Sequence, residues 1–178
     1  MNVRVRNAPT FCNQDTKLLP YVEQLSQEVK AIGESRFLSV TTEIGYSDPL
    51  AILEAIHQPN EAVCYLERPA NEFSIACGKF LADAKFEGLN RFKKAKQWSK
   101  NIFKKTFVAG DHKIPGTGPT MFLAASFETT KDSVDCPPAL QIFLPRWQVV
   151  RKGGLHYLIS NIKISPDSSP KDLDAELS

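Results

Sequence analysis

The stretch Ala139–Ile164 reads ALQIFLPRWQVVRKGGLHYLISNIKI, and it contains two strand-like runs on either side of Lys152-Gly153-Gly154. Apolar side chains alternate with other residues in both runs, a pattern typical of strands that bury one face. These apolar residues are Leu140, Ile142 and Leu144 in the first run and Leu155, Tyr157 and Ile159 in the second. Gly153 and Gly154 can supply the positive φ angles that a tight turn requires. The sequence therefore predicts a β-hairpin, in which Pro145-Arg146-Trp147 interrupts the alternating pattern.

Three segments outside the hairpin carry helix signals. Lys17–Ile32 repeats apolar residues at helical spacing, and the following Gly33 predicts where this helix ends. Asp48 can cap a short helix that has Pro49 at its first position. Leu89–Val108 has the clearest pattern, and one half of its helical wheel holds Leu89, Phe92, Ala95, Trp98, Ser99, Ile102, Phe103 and Phe107. We expect this helix to dock through its aromatic half and to bury Phe92 and Phe103.

The remaining apolar runs predict strands. They are Phe37–Ile44, Ala62–Glu67 and Met121–Phe127, and Phe73–Phe86 favours a pair of strands around Gly78. Strands with short connections and few helices favour an α+β fold, with a mostly antiparallel sheet and at least two packed helices. In our interpretation residues 1–164 form this α+β unit. Residues 165–178 are rich in proline and serine and predict a linker or disordered tail.

The composition limits the classes of protein to consider. A chain of 178 residues can bury a core of its own, and its net charge of +2 is too balanced to indicate a nucleic-acid partner. We find no apolar secretory signal and no segment that predicts a membrane span. The cysteines lie far apart in the sequence without zinc-site spacing, so we expect reduced thiols in a cytosolic protein. They are Cys12, Cys64, Cys77 and Cys136.

Gly116 and Gly118 lie in the segment Gly110–Pro119, whose composition predicts a loop. This glycine pair is followed neither by the Gly-Lys-Ser/Thr of a P-loop nor by a helix whose N-terminus could hold an anion. We therefore expect an ordinary surface loop here rather than a phosphate site.

The Leu89–Val108 segment is also strongly basic. Its cations, with no acidic residue among them, are Arg91, Lys93, Lys94, Lys96, Lys100, Lys104 and Lys105. The interleaved aromatic residues make a nucleic-acid surface conceivable. Most of the lysines, however, fall on the half of the wheel opposite the aromatic residues. That separation favours a solvated basic face over a nucleic-acid site.

Residue types and spacing reveal no catalytic or metal-binding constellation. The three histidines lack metal-ligand spacing; they are His57, His112 and His156. Ser126 lacks the Gly-x-Ser-x-Gly elbow of a serine hydrolase. Glu67 beside Arg68 is better explained by a structural ion pair, or by a turn before Pro69, than by catalysis. We assign no catalytic, cofactor-binding or metal-binding residue.

Several ordered segments resemble the isochorismate synthases, a family of chorismate-utilising enzymes. The segments are Ala62–Asn71 (AVCYLERPAN), Arg91-Phe92, Gly118–Glu128 (GPTMFLAASFE) and Phe143–Gly154 (FLPRWQVVRKGG). They follow the order of the N-terminal part of that family, which a Pro-Arg-Trp hairpin closes. They look most like the branch that feeds menaquinone or phylloquinone synthesis.

The resemblance implies an enzyme that converts chorismate to isochorismate with Mg2+. In the family a lysine activates water, a glutamate protonates the leaving hydroxyl and further glutamates hold the metal. All of these residues follow the hairpin, in a C-terminal catalytic half that has no counterpart up to Ser178. We therefore expect the non-catalytic N-terminal portion of such an enzyme, inactive alone, with the C-terminal half as its partner. Chorismate and Mg2+ would bind through that half.

An alternative is a free-standing ligand-binding or regulatory module, since related aminating enzymes bind a feedback amino acid in their N-terminal lobe. We expect no nucleic-acid or membrane partner and a cytoplasmic location, or the plastid stroma in a plant or alga. The pathway, whether quinone, salicylate or siderophore synthesis, stays open.

A lobe that covers a partner should expose an apolar surface when isolated. We expect that surface near Val149, Leu158 and Ile162.

Overall fold

The computed structural model describes residues 11–12, 18–59, 61–130 and 137–177. Within those ranges the chain forms eight strands and four α-helices. The strands are β1 (Phe11–Cys12), β2 (Arg36–Ile44), β3 (Val63–Arg68), β4 (Phe73–Phe86), β5 (Thr106–Ala109), β6 (Phe122–Ala125), β7 (Leu140–Lys152) and β8 (Leu155–Ile164). The helices are α1 (Leu18–Ile32), α2 (Pro49–Ile56), α3 (Arg91–Lys104) and α4 (Pro170–Leu177), and a 3-10 turn spans Pro69–Asn71.

All of these strands belong to one sheet, ordered β1-β2-β8-β7-β4-β3, with β5 beside β2 and β6 beside β7. Every pair is antiparallel except β1 with β2 and β2 with β5. This arrangement confirms the predicted α+β class with a mostly antiparallel sheet. The largest core cluster joins α1 and α4 to β2, β5 and β8, and it contains Val22, Leu25, Val29, Leu38, Val40, Phe107, Ala109, Ile162, Ile164 and Leu173.

The predicted hairpin is confirmed as β7 and β8. Lys152 pairs with Leu155, and Gly153 between them has φ +59. The Pro-Arg-Trp sequence interrupts the apolar pattern but not the strand, because β7 runs unbroken from Leu140 to Lys152. Pro145 has no backbone N–H to donate, and it lies opposite Phe80, where the register of β4 shifts. The irregularity in pairing therefore falls on β4.

Two helix signals read from the sequence are also confirmed. The carboxylate of Asp48 accepts a hydrogen bond of 3.0 Å from the backbone N–H of Leu50, so it caps α2, which begins at Pro49. Gly33 follows α1 with φ +72, and its N–H closes the last turn on the carbonyl of Val29. Lys17, where the sequence placed the start of α1, lies outside the described residues.

The prediction of paired strands around Gly78 is wrong. Phe73–Phe86 forms the single strand β4, because β7 pairs with it along almost its whole length. Gly78 lies opposite Trp147 in that ladder. A Cβ on Gly78 would be 2.6 Å from Cζ2 of the Trp147 ring, so glycine is needed here for the approach of an aromatic side chain rather than for a turn.

The predicted Leu89–Val108 helix is too long, and its buried face is partly wrong. The helix spans Arg91–Lys104, and the chain then enters β5, which pairs with β2 in parallel. Phe107 is buried as a strand residue, while Phe92 is 52% exposed. The sequence Thr-Phe-Val-Ala favours a strand once a partner edge is available. The Thr106 hydroxyl donates to the carbonyl of Ile102 at 2.8 Å, which satisfies one of the carbonyls at the C-terminal end of the helix.

The prediction of a linker or disordered tail at 165–178 is corrected by α4, which occupies Pro170–Leu177. Leu173 is buried in the α1 core cluster, and Leu177 packs against the same cluster. Two leucines are too few to produce a recognisable helical period, although they are enough to attach two helical turns to a neighbouring helix. The assignment of 1–164 as a separate unit stays a prediction.

Candidate functional site

The glycine-containing loop between β5 and β6 is fastened to the sheet by a buried glutamine. Gln148 Nε2 donates to the carbonyl oxygens of Gly116 at 2.8 Å and Gly118 at 2.9 Å. The N–H of Gly118 is itself donated to the hydroxyl of Thr41 at 3.0 Å. The backbone N–H of Gly118, which could otherwise bind a phosphate, is therefore directed at the protein. The geometry assigns this loop a packing role, whereas the sequence predicted an ordinary surface loop: Thr117 and Gly118 are buried.

The basic face of α3 is solvated, as the sequence predicted for its lysines. A groove of about 570 Å³ runs beside the helix and is lined by Asn90, Lys93, Lys94, Lys96, Gln97 and Lys100. Among the described residues none of these lysines forms an ion pair. Lys105, by contrast, lies 3.4 Å from the Glu34 carboxylate. The groove is thus a positively charged surface whose charge is not neutralised within this part of the chain.

Arg91 differs from the lysines that follow it, because it is buried. Its guanidinium donates to the carbonyl of Ser126 at 3.3 Å, and it stacks over the Phe92 ring at 4.9 Å. The backbone N–H of Gly88 also bonds the carbonyl of Thr129. These contacts hold the start of α3 to the segment that follows β6. The sequence pattern identified Arg91 only as one of the cations of this segment and did not indicate this role.

The same two segments carry an exposed apolar surface, here called the α3–β6 surface and defined as Leu89, Phe92 and Phe127. Leu89 is 88% exposed, and the Phe127 side chain is fully exposed. Of the three residues expected near an apolar surface, Val149 and Ile162 are buried in the core, so the expectation is wrong for them, whereas Leu158 is half-buried. Sequence alternation identified both as apolar strand residues but could not show that they would be covered, as Ile162 is by the core cluster that contains α1.

The histidines and carboxylates considered for chemistry are not brought together. His156 is buried, and its Nδ1 lies 2.8 Å from the carbonyl oxygen of Ser47. Glu67 forms an ion pair with Arg151 at 3.3 Å rather than with the adjacent Arg68. His57 and His112 are exposed, and Ser126 donates its hydroxyl to the Glu128 carbonyl. Over the ranges described, no group of three His, Cys, Asp or Glu residues could hold a metal ion.

Cys64 and Cys77 lie opposite each other on β3 and β4, although the sequence separates them. Both are free thiols, with Cys77 buried and Cys64 half-buried. Burial raises the pKa of each thiol, and for Cys77 the charge of a Cys64 thiolate would raise it further. The side chain of Cys12 and the whole of Cys136 lie outside the described residues.

Comparison with known proteins identifies the family. A family model described as chorismate binding enzyme matches residues 23–178. The match includes most of α1, the sheet from β2 to β8 and α4. None of the curated proteins matches the sequence significantly. In the part of the chain described, no helix has the length and hydropathy of a transmembrane segment. Because the matching region covers well over half of its length, the chain belongs to the chorismate binding enzyme family.

Proposed function

We propose that this chain is the non-catalytic N-terminal portion of an isochorismate synthase, which converts chorismate to isochorismate. The observation that carries the proposal is the family match over residues 23–178, which contains the hairpin and the segments that resemble isochorismate synthases. Within this proposal the product feeds menaquinone or phylloquinone synthesis, in the cytoplasm or the plastid stroma. Neither nucleic acid nor membrane is a partner.

In this proposal the Mg2+ that the resemblance implies is not held by the described residues. Mg2+ is usually held by carboxylates, with water and substrate oxygens completing its shell. No suitable group of three His, Cys, Asp or Glu residues occurs in 18–59, 61–130 or 137–177. The proposal therefore assigns the metal, the general base and the general acid to the C-terminal catalytic half, and it derives no chemical step from this chain.

Within this proposal the described chain has a structural role. A lobe that packs on a catalytic half needs an apolar surface, because protein interfaces have an apolar core surrounded by polar residues. The α3–β6 surface supplies exposed side chains of this kind, with Phe127 fully exposed and Leu89 88% exposed. Arg91 fixes the two segments relative to each other through the carbonyl of Ser126. We propose that the catalytic half covers this surface.

Complementation tests the proposal. The reading frame downstream of Ser178 is expressed separately, and chorismate turnover with Mg2+ is measured through an isochorismatase-coupled assay. We expect no activity from the chain alone and substantial activity only when both portions are mixed. Turnover by the 178-residue chain alone would contradict the non-catalytic role, and a downstream frame without a catalytic segment would contradict the partnership.

A second function, a free-standing ligand-binding module, is favoured by one observation. The groove beside α3 is lined by four lysines without ion pairs among the described residues, which suits a small polyanion. Chorismate, a dianion, can be tested by calorimetry against the chain alone. Saturable binding that is lost in Lys94→Glu/Lys96→Glu, without any complementation by a second half, would favour this module over the isochorismate synthase portion.

A further inference from the structure

Cys64 and Cys77 face each other at one edge of the sheet, where β3 is the terminal strand and β4 its neighbour. Their pairing can be followed from the hydrogen bond that the Lys79 N–H donates to the carbonyl of Ala62, at 3.1 Å. Hydrogen-bonded pairs recur at every second residue of an antiparallel ladder. The pair two residues further along, Cys64 with Cys77, is therefore also a hydrogen-bonded pair.

The opposite side of β4 gives the same assignment. Gly153, at the end of β7, donates its N–H to the carbonyl of Glu72, just before β4. Because hydrogen-bonded pairs recur at every second residue, the following even-numbered residues of β4 also form their backbone hydrogen bonds with β7. The odd-numbered residues there, including Cys77, bond toward β3 instead. Residues that face each other at such a site have Cα atoms about 5.5 Å apart. A disulfide bridges Cα separations of about 4.4–6.8 Å, so this pair is within its range.

We propose that Cys64 and Cys77 form a reversible cross-strand disulfide, which makes this sheet edge a redox-responsive modification site. Both thiols are free. Cys77 is buried under the sheet edge, whereas Cys64 is half-buried and can be reached from solvent. One thiol is thus accessible to an oxidant while the other is held directly opposite to complete the bond.

A small disulfide such as oxidised glutathione supplies the oxidising equivalents in two exchange steps. Cys64 loses its proton to water and attacks a glutathione sulfur, which forms a mixed disulfide and releases one glutathione thiolate. Cys77 then loses its proton and attacks the Cys64 sulfur, which closes the protein disulfide and releases the second glutathione thiolate. Two protein thiols lose two electrons and two protons, and one oxidised glutathione becomes two glutathione molecules.

The geometry predicts a bond that forms slowly and is easily reduced. Burial raises the pKa of both thiols, so little reactive thiolate is present near neutral pH. Directly opposite residues have Cβ atoms about 4.5–5.5 Å apart, whereas a disulfide prefers about 3.8 Å. Closing this difference draws β3 toward β4 and strains the bond, and strained disulfides are the more reducible ones.

The test uses the full chain with oxidised glutathione as the probe. Reduced protein is incubated at about pH 8.5, near the ordinary thiol pKa, over a series of oxidised-to-reduced glutathione ratios. It is then quenched, alkylated and digested with a protease that cuts after glutamate. Glu67 and Glu72 lie between the two cysteines, so the digest separates them unless a disulfide joins them. We expect a Cys64–Cys77-linked peptide pair, about 2 Da lighter than the reduced peptides together, that dithiothreitol abolishes.

Three variants complete the test. Cys12→Ser/Cys136→Ser retains only the proposed pair and should show the same link at the same glutathione ratios. In that background Cys77→Ser should stop at a glutathione adduct on Cys64, and Cys64→Ser should leave Cys77 unmodified. If wild-type Cys64 and Cys77 stay unlinked at every ratio, or if Cys64 keeps its glutathione while Cys77 remains a thiol, the proposal is overturned.

Discussion

Gly110 and Gly88 have nearly the same backbone torsion, with φ +83 and +82, but different surroundings. A Cβ on Gly110 would lie 2.1 Å from the backbone oxygen of Thr41, while a Cβ on Gly88 would meet nothing within 4 Å. We expect Gly88→Ala to cost about 1–2 kcal/mol for the left-handed conformation. Gly110→Ala should cost about 2–5 kcal/mol, because the contact with Thr41 is added to that strain.

Urea denaturation of both variants measures the difference directly. The pair is matched in backbone conformation, so any excess cost at Gly110 reports the approach of the β5–β6 loop to β2. Equal free energies of unfolding for the two variants would show that the loop is not held against Thr41 as described.

In the reduced protein, the Cys77 thiol should make the free energy of unfolding depend on pH in the alkaline range. The pKa of Cys77 in the folded chain is raised mainly by burial. At pH values between the ordinary thiol pKa of about 8.5 and this raised pKa, the folded chain therefore keeps a proton that the unfolded chain has lost. The free energy of unfolding should therefore decrease as pH rises above about 8.5. Thermal melts in reductant should show this decrease, and Cys64→Ala/Cys77→Ala should remove most of it. An unchanged decrease in the double variant contradicts the assignment to these thiols.

At the scale of elements, α3 depends on the one cation that it buries. Arg91 donates to the carbonyl of Ser126, whereas Lys94 is exposed and forms no ion pair among the described residues. We expect Arg91→Ala to cost about 1.5–3 kcal/mol, the range for hydrogen bonds to charged groups. Lys94→Ala on the same helix should change stability by less than about 0.5 kcal/mol. Chemical denaturation of both variants checks this, and a larger cost for Lys94 would reverse our assignment of the faces.

The C-terminal helix α4 should contribute measurably to stability through one side chain. Leu173 is 2% exposed within the cluster that joins α4 to α1. Truncation to alanine should cost about 2–5 kcal/mol, as is typical of buried leucines. Lys171→Ala, a change at an exposed residue two positions earlier in the same helix, should stay within about 0.5 kcal/mol. If Leu173→Ala is as mild as Lys171→Ala, then residues 170–177 behave as the tail that the sequence suggested.

The elements that the sequence predicted correctly are those defined by local chemistry. Asp48 and Pro49 specify the start of α2 through a cap that needs no distant partner. The alternating pattern around Gly153 likewise specifies the β7–β8 hairpin, since both strands are adjacent in sequence. The errors arose where a distant strand decides the outcome. Phe107 continues a helical pattern, yet it is a strand residue because β2 offers an edge with which β5 pairs.

The features of the candidate sites were harder to predict than the elements of the fold, because they depend on tertiary contacts. The pairing of Cys64 with Cys77 requires the register of β3 and β4, which composition does not specify. The one indication in the sequence was that both cysteines lie on strand-like runs joined by a short connection. Aligning the apolar residues of these two runs as a hairpin could have suggested that Cys64 pairs with Cys77. The burial of Arg91 follows from its carbonyl partners on the segment after β6, and no local pattern encodes them.

At the scale of the whole molecule, charge and apolar exposure are concentrated around α3. The lysine-lined groove and the α3–β6 surface both include residues of this helix and of the segment just before it. Tyr46 is also exposed, at 84%, but it lies beside His156, which pairs with Arg151 at the other end of β7. The eleven residue steps from Leu140 to Arg151 place the two exposed regions roughly 35 Å apart, at about 3.3 Å per step along the strand. Among the described residues, exposed aromatic side chains therefore occur in two separate regions, Phe92 and Phe127 on the α3–β6 surface and Tyr46 near the other end of β7.

This separation allows a direct test of which surface associates. We expect the isolated chain to self-associate through the α3–β6 surface, because fully exposed Phe127 and 88%-exposed Leu89 gain by leaving water. Phe127→Ser should weaken the association constant about tenfold or more, since burying a phenylalanine is worth about 1.5–3 kcal/mol. Tyr46→Ser, which removes a comparably exposed aromatic side chain at the other end of β7, should leave it unchanged. Sedimentation velocity across a concentration series measures both. A monomer at every concentration, or equal effects of the two substitutions, would mean that this surface is not the one that a partner covers.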